Sequence, residues 1–166
     1  LPPNDRVALH RELDELCRAD GSLSPFEFAL LHTVRRHVPT PQSPAPAPTR
    51  PLPLTSASTE IGVVLSTLAH VSGDRAAIAF ARGAATMPGL PLQLLPNAKD
   101  FDRLEQATTK LGQLSPLGKK QLMTACAEVA AADGEIAPDE GELLRAFSES
   151  WDCPLPPLWS GDAPRQ

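Results

Sequence analysis

The sequence predicts an all-α fold: about seven helices packed in one bundle, with two pseudo-equivalent αα-hairpins and a Pro-rich linker. Three observations lead there. Apolar residues recur at helical rather than alternating spacing in one segment after another. Hydrophobic residues make up 42% of the chain but aromatic ones only 4%, and Tyr is absent, so the core must be built from Leu, Ala and Val. Finally, "ADGSLSPFE" (Ala19 to Glu27) has a counterpart in "ADGEIAPDE" (Ala132 to Glu140). A chain of 166 residues suits one domain, or two small halves sharing a core.

Residues 1–38 form the first hairpin. "NDRVALHRELDELCRAD" carries Val7, Leu9, Leu13 and Leu16 at helical spacing, with Arg and Glu on the other face. Gly21 ends it as the expected left-handed residue. In "SPFE", Ser24 caps the next helix, Pro25 suits its first position and Glu27 completes a capping box. Phe28, Leu31 and Val34, with Leu30 beside them, make its apolar stripe. Residues 39–58, "PTPQSPAPAPTRPLPLTSAS", have a Pro density that forbids helix and favours an extended surface linker. "PTRPLP" within it has the loose chemistry of an SH3-type ligand.

Residues 59–114 hold three middle helices. "TEIGVVLSTLAHV" reads as a core helix, and "SGDRAAIAFARGAATM" as a second with Ser72 as its cap. The Ala and Gly of the second let neighbours approach closely. "PGLPLQLLP" is a Pro-interrupted connection, and "AKDFDRLEQATTKLGQL" is the third helix, apolar at Phe101, Leu104, Leu111 and Leu114. Residues 115–151 form the second hairpin, with Ser115 as cap, Pro116 in first position, and Leu122, Cys126 and Val129 along one face. Superposing Asp20 on Asp133 pairs Leu9 with Leu122, Leu13 with Cys126, Leu16 with Val129, Leu30 with Leu143, Leu31 with Leu144 and Val34 with Phe147. Residues 152–166 are a Pro-rich tail that packs through Leu155, Leu158 or Trp159.

Composition narrows the function. A net charge of −5 argues against nucleic acid, which needs a concentrated basic face. The longest basic cluster, Arg35-Arg36-His37, suits a helix C-terminus. Cys17, Cys126 and Cys153 are odd in number and lack a C-x-x-C spacing, which fits a reducing compartment and no zinc site. No window reaches the roughly 18 apolar residues of a membrane span, so direct membrane insertion is not expected. The chain starts at Leu1 rather than Met and reads as part of something longer.

The paired Ala-Asp-Gly turns raise the question of calcium. With Gly21 and Gly134 at loop position six of an EF-hand, Leu16 and Arg18, or Val129 and Ala131, would fill the first and third ligand positions. Those residues cannot coordinate Ca²⁺. A shared acidic cluster of Asp20, Glu27, Asp133, Glu135, Asp139 and Glu140 remains, whose oxygen ligands would favour Ca²⁺ or Mg²⁺. The simpler reading has Asp20 and Asp133 bonding amides of their own turns, and Glu27 and Glu140 stabilising helix N-termini. H-E-x-x-H, G-x-S-x-G, P-loop and G-x-G-x-x-G motifs are absent. His10, His32, His37 and His70 are scattered, so no catalytic residue is expected.

"ADGSLSPFEFALLHTVRRH" and "ACAEVAAADGEIAPDEGELLRAFSESWDCPLPPL" resemble the TerB-like helical module known from tellurite-resistance proteins. The pattern is also similar to the C-terminal region of bacterial membrane-embedded, HtpX-like zinc metallopeptidases, where two such hairpins follow the protease domain. The resemblance implies a non-catalytic accessory domain, regulatory or protein-interacting. It would lie on the cytoplasmic side and be tethered to the inner membrane through an upstream region. Its partner would be another protein or the parent protease domain, with the zinc ligands upstream. No cofactor is implied in this chain beyond a possible divalent cation, for which the TerB likeness points to Asp20, Glu27, Asp133 and Glu140. Ala137 stands where Ser24 does, so the second hairpin lacks a side-chain cap, a loss of about 1 kcal/mol.

Overall fold

A computed structural model describes residues 2–19, 21, 23–41, 50–96 and 100–156. Among them are seven α-helices: α1 (Pro3–Cys17), α2 (Pro25–His37), α3 (Ser58–Val71), α4 (Ala76–Ala85), α5 (Phe101–Leu111), α6 (Pro116–Ala130) and α7 (Pro138–Trp151). The fold is an all-α bundle, with no strand in the described residues.

Helix boundaries follow local chemistry. Ser24 Oγ accepts from Glu27 N–H at 3.2 Å while Glu27 Oε2 accepts from Ser24 N–H at 2.8 Å, a complete capping box. Ser115 caps α6 through Gly118 N–H and Asp100 caps α5 through Arg103 N–H. Gly21 and Gly134 both take positive φ, +80° and +91°, where a side chain would be strained. At the end of α7, Asp152 adopts the left-handed conformation and Cys153 N–H returns to Ser148 O at 3.1 Å. This 6→1 bond is a Schellman closure.

Helix α3 is the centre. Its residues Ile61 to Ala69 are all buried, and it touches α4, α5, α6 and α7. Its buried hydroxyls are satisfied: Thr67 bonds Val63 O, and Ser66 accepts from Leu95 N–H. Around it α7 packs on α2, α6 and α5. Phe147 and Trp151 stack one turn apart, with ring centroids 5.1 Å apart. Phe28 meets Phe101 across α2 and α5 at 5.6 Å. The close approach expected of the Ala- and Gly-rich helix occurs at Gly83, where a Cβ would lie 2.8 Å from Ala125 O.

Four expectations change. The stripe foreseen on α1 is not its packed face: Cys17 is the buried residue of this helix, and Val7, Leu9 and Leu16 are exposed. α1 lies against α2, and Leu9 and Leu16 project past that contact. The matched apolar positions therefore differ in burial, Leu16 being 71% exposed where Val129 is 0%. The linker gives way to structure before Ser58: Leu52 N–H bonds Gln113 O at 2.9 Å, and Leu54–Ala57 is a 3₁₀ turn ending in buried Ala57. Ser72 does not cap α4. It stays at the end of α3, where its hydroxyl reaches Leu68 O and the Glu140 carboxylate. The central linker 42–49 and the tail residues Leu158 and Trp159 lie outside the described residues.

Candidate functional site

The carboxylates singled out as metal candidates have different surroundings. Asp20 lies outside the described residues. Glu27 is half-buried and caps its own helix. Asp133 is exposed, and its Oδ1 accepts from Glu135 N–H at 3.2 Å, a local Asx turn. Glu140 is 2% exposed. One of its oxygens accepts from Ala137 N–H at 2.7 Å and the other takes the Ser72 hydroxyl. Ala137 has no oxygen to cap with, so only this return half of the box exists. Burial raises the Glu140 pKa above its ordinary value; its two hydrogen bonds work against the shift, and the Asp133 charge adds to it. Among the described residues no three His, Cys, Asp or Glu side chains are placed to share a metal ion.

A second assembly was not foreseen. A cleft of about 580 Å³ is lined by His10, His32, Arg35, Arg36, Glu105 and Ser150, among others. It draws on α1, α2, α5 and α7, so no sequence window contains it. His32 stacks on Phe28 at 5.8 Å and its Nε2 pairs with Ser150 Oγ. Burial lowers its pKa; Arg36 and Arg35 add to that, while Glu105 and Glu149 oppose it. His10 Nε2 is buried and has no hydrogen-bond partner among the described residues.

The arginines of this cleft do more than complement a helix dipole. Arg35 pairs with Asp14 of α1 and Glu105 of α5. Arg36 pairs with Asp152 and donates to Ser150 O at 3.1 Å. Arg18 joins Asp14 at 3.1 Å to Asp102 at 2.6 Å. The chain Asp102–Arg18–Asp14–Arg35–Glu105 thus ties the first hairpin to α5. With Arg35 held between two carboxylates, the cleft is a near-neutral seam. It braces the bundle rather than attracting an ion.

On the solvent side the first hairpin is unlike the rest. Leu9, Leu13 and Leu16 fall within about 60° of one another on a helical wheel. Leu13 is half-buried, and Leu9 and Leu16 are open. On α2, Phe26 and Leu30 are exposed one turn apart.

No protein-family model, curated protein or solved structure matches this chain. The likeness to TerB-like modules therefore rests on the two Ala-Asp-Gly hairpins alone. No helix among the described residues is long and apolar enough to cross a membrane.

Proposed function

We propose that the chain is a non-catalytic accessory domain of TerB-like type, and that it works by docking against another protein. The observation that carries this is the distribution of apolar surface. Of the seven exposed large hydrophobic side chains among the described residues, five lie on the first hairpin: Val7, Leu9, Leu16, Phe26 and Leu30. Leu9 and Leu16 share one face of α1 and Phe26 and Leu30 one face of α2, whereas Val7 lies about 160° round α1 from Leu9; apolar exposure grouped on a face in this way supports an interaction surface. The ion-pair chain behind α1 holds that surface in place.

The partner that fits the resemblance is the protease domain of a membrane-embedded zinc metallopeptidase, with this chain as its cytoplasmic C-terminal part. The coding sequence upstream of Leu1 tests the parent: apolar spans and an H-E-x-x-H there support it, and an initiator Met directly before Leu1 overturns it. The docking role is tested separately in the full-length protein. Leu16→Glu with Phe26→Glu should keep the helical circular dichroism but remove hydrogen-exchange protection from α1 and α2. Unchanged protection would refute docking through this hairpin.

A second reading, a TerB-type module for a divalent cation, has one observation behind it. Asp133 lies close enough to Glu140 for its charge to raise that pKa. Calorimetric titration with Ca²⁺, Mg²⁺ and Zn²⁺ decides it, and no binding at millimolar concentration ends it.

A further inference from the structure

Where α6 begins and α7 ends, the surface opens into a groove of about 620 Å³. Fully buried Met123 and Trp151 close its floor. The Trp151 Nε1–H is turned inward to Thr108 O at 3.0 Å, so the indole offers the groove no polar group. The walls come from Pro116 at the start of α6 and from Pro154, Leu155 and Pro156 beyond α7. Three of these four are prolines, whose backbone has no N–H to donate.

The remaining polar groups of the groove are nearly all engaged elsewhere. The Thr124 hydroxyl donates to Lys120 O at 3.0 Å. Asp152 is paired with Arg36. The Cys153 thiol faces Pro154 O. Lys119 and Lys120 are the exceptions: they line the same groove and enter no ion pair among the described residues. Their charges reach inside, because both ammonium groups pull the Cys153 thiol down against the upward push of burial.

We propose that this groove is a binding site for a free amphiphilic monocarboxylate, a medium-chain fatty acid or aryl-alkanoic acid. The hydrocarbon lies against the proline and leucine walls and the lysine stems, and the carboxylate takes Lys119 and Lys120. Apolar walls poor in donors beside two ammonium groups outside any ion pair among the described residues match an amphiphile with one anionic end. The volume falls within the roughly 300–1,000 Å³ of small-molecule sites, which favours a free acid over an extended peptide. The site is separate from the hairpin surface and does not depend on it.

The test is titration of the full chain with octanoate, followed by NMR and calorimetry, with octanol and octylamine as controls. Octanoate should bind saturably with a Kd of about 1 mM or below and shift the resonances of Lys119, Lys120 and Leu155. Octanol should bind several-fold more weakly, and octylamine not at all. The double variant K119Q/K120Q, which replaces a half-buried and an exposed side chain that enter no ion pair among the described residues, should keep the helical circular dichroism and lose about tenfold in affinity. Leu155→Asp should abolish binding without altering the helical signal. Octanoate that does not saturate, octanol that binds equally well, or a K119Q/K120Q affinity equal to that of the parent would each overturn the proposal. So would a site that takes an acidic peptide and refuses octanoate.

Discussion

Asp14 and Arg35 meet across the first hairpin, Arg35 Nη2 lying 3.0 Å from Asp14 Oδ1. Each has a further partner, Arg18 for Asp14 and Glu105 for Arg35. Through this pair α1, whose apolar burial is slight, is fixed to the body of the bundle. Asp14→Asn should cost about 1 kcal/mol, the upper end for single exposed pairs, since both side chains are one third exposed. The loss should appear as faster hydrogen exchange in α1 before any other helix. It should shrink in 1 M salt, where screening acts within about 3 Å. Equal urea midpoints for parent and variant at low salt would contradict the tethering role.

His32 supplies the acid sensitivity of the α2–α7 seam. Burial disfavours its imidazolium, so its folded pKa lies below the ordinary 6.5. The unfolded chain then binds the proton first. Stability from this group is full above about pH 6.5 and is lost as pH falls through the folded pKa. The groups facing it are Glu105, Arg36, Arg35 and Glu149. In His32→Gln the part of the slope below pH 6.5 should disappear from urea unfolding. An NMR titration of the imidazole with a midpoint at or above 6.5 would contradict the account.

Gly83 sets the distance between α4 and α6. A Cβ there would lie 2.3 Å from Val129 Cγ2 and 2.8 Å from Ala125 O. The methyl of Val129 can shift, but the Ala125 carbonyl belongs to a helix backbone. Gly83→Ala should therefore destabilise by about 1–3 kcal/mol, despite the ~1 kcal/mol that Ala gains in helix propensity. Thermal unfolding measures the balance, and a raised Tm would show that the helices separate freely.

Helix existence was legible because periodicity and caps are local signals. Ser24, Ser115, Gly21 and Gly134 each act within a few residues of themselves, as expected. Burial was legible only where a helix is covered on most sides. The apolar run of α3 could lie nowhere but the core, whereas the α1 stripe gave no sign that Leu9 and Leu16 would be left open to solvent. Glu27 and Glu140 show the same limit. They share a motif position and the same return bond to the N-cap amide, yet only Glu140 is sealed from water, because Ser72 at the end of α3 packs over it. The cleft around His10 and His32 draws on four helices, so no spacing rule could have found it.

Ala137 holds the N-cap position of α7 with the extended backbone a capping residue needs, φ −65° and ψ 154°, but no side-chain oxygen. Ala137→Ser should restore the missing half of the box and stabilise by about 1 kcal/mol. The position is exposed, so the hydroxyl loses little hydration. A urea midpoint no higher than that of the parent would mean that the Glu140 bond already saturates this terminus.

Glu140 itself is the sharper probe, because its burial and its bonds oppose each other. Its folded pKa is raised above the ordinary 4.5, so the folded state binds the proton more readily than the unfolded one. Relative stability from this group is full below about pH 4.5 and is lost as pH rises through the folded pKa. His32 acts in the opposite sense, its stability being lost as pH falls. Glu140→Gln removes the buried charge and keeps an acceptor for Ala137 N–H, while its amide can donate to Ser72. That variant should be at least as stable as the parent at pH 7, as urea unfolding measures. Glu140→Ala, which strips both bonds, should instead cost about 1–3 kcal/mol. If Glu140→Gln is as destabilising as Glu140→Ala, the carboxylate charge is needed at this helix N-terminus and its repulsion by burial is the smaller effect.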